Sequence, residues 1–237
     1  MGGKKRHSLV YFLGIDGSGK STLSKYLHQQ LRARRINTTH TWWLESENSV
    51  FRRLLRCIAG KRLQAQTQRQ NLSSQGNPAN LRTRVYRALY PRLVLLDYLR
   101  FGIINTWPPR IFGKSRIDIF DRFYPDVLIA LSKEFQWPIS RQQRWFGLFN
   151  MLLPKPDLTL MIEVLPETAY KRKSGEIKLL ENAVFSQQEY DRLSNYLDQK
   201  VSFQVTRVNN DGVISIAEKE VLNLVLQLVK GIPVNVA

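Results

Sequence analysis

The sequence predicts an α/β domain: a parallel sheet with helices on both faces and a basic helical insertion between its second and third strands. Three observations predict it. A short apolar run, Leu9 to Leu13, leads directly into a glycine-rich loop and then a helical repeat. Further β-rich runs alternate with helical patterns along the rest of the chain, which implies parallel strands joined by right-handed crossovers. The 237 residues are 43% hydrophobic and 23% charged, the balance of a folded chain with a sizeable core.

Leu9 to Leu13 (LVYFL) is rich in β-formers and apolar at every position, as in a strand buried on both faces. Leu23, Leu27 and Leu31 recur at i, i+4 and i+8, so Ser21 to about Arg35 reads as an amphipathic helix. Thr38 to Trp43 is the second strand by its β-branched and aromatic content. Residues 44–80 carry an apolar helical piece around Phe51 to Ile58, then a Gln/Asn/Ser-rich stretch punctuated by Gly76 and Pro78. Leu81 to about Ile104 reads as a helix or a kinked pair, with Pro91 marking a break or a start. Ile117 to Phe120, Leu158 to about Val164 and Val201 to Val208 read as strands; Glu167 to Lys173, Gln187 to Gln199 and Ile214 to Val229 read as helices. The organisation is a single domain over 1–237, with 44–115 as insertion and acceptor-side helices and 166–185 as a lid region.

Residues 1–120 hold 22 lysines and arginines against 5 acidic residues, which accounts for the whole net charge of +17. Such an excess attracts polyanions or small phosphorylated ligands. The cations are dispersed and carry no nucleic-acid motif, which favours the small ligand. Cys57 is the only cysteine, so a disulfide framework is excluded and a reducing, cytoplasmic setting is expected. His7, His28 and His40 lack metal-ligand spacing, Met1 to Ser8 reads as a basic tail without a cleavage site, and no apolar stretch is long enough to span a bilayer.

Gly14-Ile-Asp16-Gly17-Ser18-Gly19-Lys20-Ser21-Thr22 satisfies G-x-x-x-x-G-K-[ST] between a strand and a helix. Glycines let backbone N–H groups converge on a phosphate, and the following helix points its positive end at the same charge. Lys20 reaches the β- and γ-phosphates of a nucleoside triphosphate, ATP by default, and the Ser21 hydroxyl ligates Mg²⁺. Asp121 and Arg122 end a strand, where ligands of open parallel sheets bind. A carboxylate there can hold Mg²⁺ and the guanidinium can clamp a phosphate. Asp16 either contacts the acceptor or a metal-bound water, or stabilises its own turn. Lys171, Arg172 and Lys173, followed by Ser174, Gly175, Glu176 and Lys178, form either a mobile cationic lid or a helix C-terminal cap. Trp42, Trp43, Phe123 and Tyr124 are candidate base-stacking faces and equally ordinary core aromatics.

The order of GIDGSGKST, DRFYPD and KPDLTLMIEVLPETAYKRK resembles the thymidylate kinase family of P-loop nucleoside monophosphate kinases over most of the chain outside 44–80. The resemblance implies a five-stranded P-loop kinase fold, ATP and Mg²⁺, transfer of the γ-phosphoryl group to thymidylate or a related deoxynucleotide, and commonly a homodimer. It implies that Lys20 and Ser21 hold ATP and Mg²⁺, that Asp121 orders the metal waters, and that Asp16 lies by the acceptor sugar. Arg122 and Phe123 fall on the acceptor side, and Arg172 covers the transferring group from the lid. The chain departs from the family on that acceptor side. WWLESEN replaces an Arg-Glu-Pro-Gly turn, Asp97-Tyr98 replaces an Asp-Arg pair with Arg100 as the substitute cation, and Asp126 takes a serine position. Asp118 also puts a carboxylate in a strand expected to be buried, at a cost of several kcal/mol unless it is paired. These changes keep open a different phosphorylatable acceptor, such as a nucleoside or sugar, and a nucleotide- or nucleic-acid-binding module with little chemistry.

Overall fold

In the computed structural model the described residues are 7–42, 81–112, 116–173, 180–196, 203 and 205–230. The helical piece expected at Phe51 to Ile58, the Gln-rich stretch, Trp43, residues 1–6 of the basic tail and the 174–178 part of the lid lie outside them. The elements are β1 (Ser8–Leu13), α1 (Lys20–Ala33), β2 (Thr38–Trp42), α2 (Leu81–Phe112), β3 (Ile117–Asp121) and α3 (Tyr124–Phe135). There follow α4 (Ile139–Leu152), β4 (Leu158–Glu163), α5 (Pro166–Arg172), α6 (Leu180–Tyr196), β5 (Val205–Asn209) and α7 (Ile214–Lys230).

The five strands form one sheet in the order β2-β3-β1-β4-β5, and every pairing is parallel. Central β1 shows why its sequence is apolar throughout. Because side chains alternate between faces, Val10 and Phe12 enter a core with Leu23, Leu27 and Leu31 of α1 and Val221 and Val225 of α7. Leu9, Tyr11 and Leu13 enter the opposite core, with α2, α3, α4 and α6. Both faces are covered, and the fold is the α/β architecture expected from the sequence. Among the described residues no helix is long and apolar enough to cross a membrane.

Several elements differ from their sequence-based reading. α2 runs 32 residues with Pro91, Pro108 and Pro109 inside it, so Pro91 neither starts nor ends a helix. An interior proline costs ~3 kcal/mol, yet Val94, Leu95, Tyr98 and Leu99 bury one stripe of the helix just beyond it, and packing offsets the missing N–H. The helices α3 and α4 have no counterpart in the sequence reading. Pro125 in the first turn of α3 and Pro138 as the N-cap of α4 are start signals that resemble loop punctuation. α6 begins at Leu180, inside the stretch expected to be lid.

The amino edge of the sheet resolves the buried Asp118. His7 Nε2 shares a hydrogen bond with its Oδ2 at 2.7 Å, Thr39 donates to Oδ1 at 2.5 Å, and Arg116 Nη2 donates to Oδ2 at 3.1 Å. A buried carboxylate is tolerable when its lone pairs are filled in this way. His7 is therefore buried and Ser8 opens β1, so both belong to the fold and not to the tail expected to run to Ser8.

Candidate functional site

Parallel strands place all five carboxyl ends on one edge, the usual location of ligand sites in such sheets. The register aligns Phe12 with Asp121 and Trp42 with Asp121, which brings the end of β3 between β1 and β2. From β1 the chain enters the glycine loop and turns into α1 at Lys20.

The loop needs glycine for two separate reasons. Gly17 and Gly19 have φ of +87° and +91°, which side chains disfavour. A Cβ on Gly17 would also strike the Ala169 carbonyl of α5, and one on Gly19 would strike the Asn210 side-chain amide. Inside the loop, Ser18 N–H donates to Ile15 O at 3.2 Å, and Thr22 and Leu23 N–H both donate to Gly19 O. Lys20 is 3% exposed and its Nζ donates to the carbonyls of Gly14 at 2.5 Å and Ile15 at 2.6 Å. Burial, and secondarily the Arg122 charge, lowers its pKa to about 8. Loop carbonyls thus hold an ammonium that a phosphate would satisfy better. Ser21 is half-buried and Thr22 exposed at the start of α1.

Asp121 is buried, and its Oδ1 has no hydrogen-bond partner among the described residues. An orphaned carboxylate oxygen at this edge suits a hard cation, and Asp121, with the Ser21 hydroxyl at the start of α1, would be the groups to hold one. No group of three or more histidine, cysteine or acidic side chains could hold a metal among the described residues. His40 shares a hydrogen bond with Ser24 at 3.0 Å and lies 5.9 Å, ring to ring, from His28.

Asp16 and Arg122, 106 residues apart, meet as an ion pair across the mouth of the loop. Although burial alone would raise the Asp16 carboxyl, the cations Arg122 and Lys20 hold it below the usual aspartate range. Burial would weaken the Arg122 cation, but Asp16 and Asp126 together hold it protonated above the ordinary arginine value. Arg122 has φ of +66°, a left-handed conformation costly for a residue with a side chain. Just beyond it, Asp126 caps α3 by accepting the Phe123 N–H at 3.1 Å and also accepts the Tyr190 hydroxyl of α6. Burial pushes its carboxyl pKa up despite Lys20 and Arg122 nearby.

The other expected residues divide between core and surface. Phe123 is wholly buried, with ring centroids 4.2 Å from Tyr11 and 4.9 Å from Tyr124. Tyr124 is equally buried and stacks on Phe149 at 4.8 Å. Tyr98 is buried on α2, while Arg100 is largely exposed with Nε 3.9 Å from Asp97. Trp42 is 44% exposed at the end of β2. Arg172 Nη2 donates to the Asn210 carbonyl at 3.0 Å. Asn210, Tyr190 and Ser24 lie outside every motif of the sequence. For Asn210 the available signal was its position just past the end of β5.

No protein-family model matches the chain. Over 173 residues it is 26% identical to a protein of Sulfolobus acidocaldarius described as a probable thymidylate kinase, which covers 71% of this chain and 70% of that protein. The five-stranded parallel sheet with its helices is consistent with a P-loop kinase.

Proposed function

We propose that this chain is a nucleotide kinase that transfers the γ-phosphoryl group of ATP to a nucleoside monophosphate, thymidylate or a related deoxynucleotide. One observation carries the reading: Arg122, just past the end of β3, pairs with Asp16 inside the Gly14–Thr22 loop. The similarity to a probable thymidylate kinase supports it. Phosphoryl transfer asks the protein chiefly for positioning and charge.

In this reading Lys20 leaves the loop carbonyls for the β- and γ-phosphate oxygens. Arg122 binds the acceptor phosphate, and Asp16 lies by the acceptor sugar while orienting Arg122. An acceptor phosphate oxygen forms a bond to the γ-phosphorus as the β,γ-bridging bond breaks, leaving ADP. Ser21 and Asp121 would hold Mg²⁺, which when bound neutralises charge on the donor phosphates. Arg172, at the end of α5, would add charge over the transferring group.

The test is coupled ADP release across a panel of nucleoside monophosphates, with Lys20→Ala as control. The expected result is turnover of at least one deoxynucleotide about 100-fold above that control. No turnover above it with any monophosphate would overturn the reading. Because Asp16 already neutralises Arg122 and Asp126 adds a carboxyl beside it, an uncharged acceptor is the second reading, and nucleosides and sugars belong in the same panel. Selective turnover of thymidylate would remove it.

A further inference from the structure

We propose that Asn210 is a positioning residue of the donor site, acting on ATP through the backbone of the phosphate loop; the inference rests on the reading of that loop as the ATP site. Asn210 follows the last residue of β5 and is 2% exposed. Its own N–H donates to the Glu163 carbonyl at the end of β4 at 2.8 Å, so its place is fixed by the sheet. From there Nδ2 donates to the Ser18 carbonyl at 2.7 Å, a bond that joins residues 192 apart. The acceptor is a carbonyl, which settles that the amide nitrogen faces the loop.

This bond has a directional consequence. In a planar trans peptide the C=O and the following N–H point in opposite directions. Holding the Ser18 carbonyl against Asn210 therefore turns the Gly19 N–H to the opposite side of that peptide, away from Asn210, where in the ATP-site reading it would meet phosphate. Gly19 must lack a Cβ because this same amide occupies the space. The other amide atom, Oδ1, is buried without a partner among the described residues. Such an orphan is costly, and an apolar residue would avoid the cost. The donor bond to the loop is what the amide supplies in return. Arg172 adds a tie from the far side, donating to the Asn210 carbonyl at 3.0 Å, and so joins the end of α5 to the same point.

Asn210→Asp and Asn210→Ala in the full chain test the inference. The first keeps the shape but sets an acceptor against the Ser18 carbonyl; the second leaves a gap and serves if the first does not fold. ATP affinity is read by calorimetry, folding by the thermal midpoint, and steady-state constants for both substrates by the coupled assay. The expected outcome is a rise of about tenfold in both Kd and KM for ATP, with kcat and the monophosphate KM within about threefold of the unsubstituted chain. A merely structural asparagine would lower the thermal midpoint and leave the ATP affinity of the folded fraction intact, and that result would overturn the inference. So would a fall in kcat at unchanged ATP affinity. If the unsubstituted chain binds ATP but phosphorylates no acceptor, the kinase reading fails while the ATP affinities still decide the role of Asn210. If the unsubstituted chain does not bind ATP, both fail together.

Discussion

The two sides of the carboxyl edge hold their charges by different means. Around Lys20 the restraints come from main chain and sheet: glycine φ values, carbonyls 2.5 and 2.6 Å from the ammonium, and an asparagine that pins a loop carbonyl. Around Arg122 they come from side chains: Asp16 at the loop mouth, Asp126 in the first turn of α3 and Tyr190 on α6. A backbone-built site fixes a ligand group that all nucleoside triphosphates share. A side-chain-built site can be altered one substitution at a time, and this is the side on which the chain departs from the family it resembles.

The largest expected effect breaks the first side. Lys20→Ala should lower turnover on the order of 10²- to 10³-fold, read in the coupled assay, and should weaken ATP binding. Arg122→Ala should break the other side alone: kcat/KM for the monophosphate falls about 100-fold, while calorimetry finds ATP affinity within about twofold. Equal losses of both affinities would show that the two sides are not separable.

Next is pH. With its pKa lowered to about 8, Lys20 gives up its proton as pH rises through that value, and bound phosphate favours the charged form. ATP affinity should therefore fall, approaching tenfold per pH unit above about 8. Stability moves the other way. Between about 8 and the ordinary value of 10.5 the unfolded chain binds a proton that the folded chain has released, so the unliganded fold gains stability with rising pH over that window. Monophosphate affinity measured on the same buffers should stay flatter, because Arg122 remains charged. The smallest effect belongs to Tyr190→Phe, which removes one hydrogen bond to Asp126 and should lower unfolding free energy by about 1 kcal/mol without changing ATP affinity.

The same contrast separates what could be read in the sequence from what could not. The glycine loop was legible because its constraints are local and act on the backbone, and β1 was legible because burial on both faces leaves an unbroken apolar run. The Asp16–Arg122 pair spans 106 residues and Asn210 reaches Ser18 across 192; neither leaves a local pattern. Phe123 illustrates a different limit, since an aromatic beside a site residue has the same sequence signature whether it faces a ligand or, as here, Tyr11 and Tyr124. Pro91 shows tertiary packing overriding a local breaker, and Pro125 and Pro138 show helix starts hidden behind residues that also mark loops.

The backbone angle of +66° at Arg122 sets activity and robustness against each other at one position. Glycine relaxes there at no steric penalty, so Arg122→Gly should relieve the backbone strain while losing monophosphate kcat/KM about as far as Arg122→Ala does.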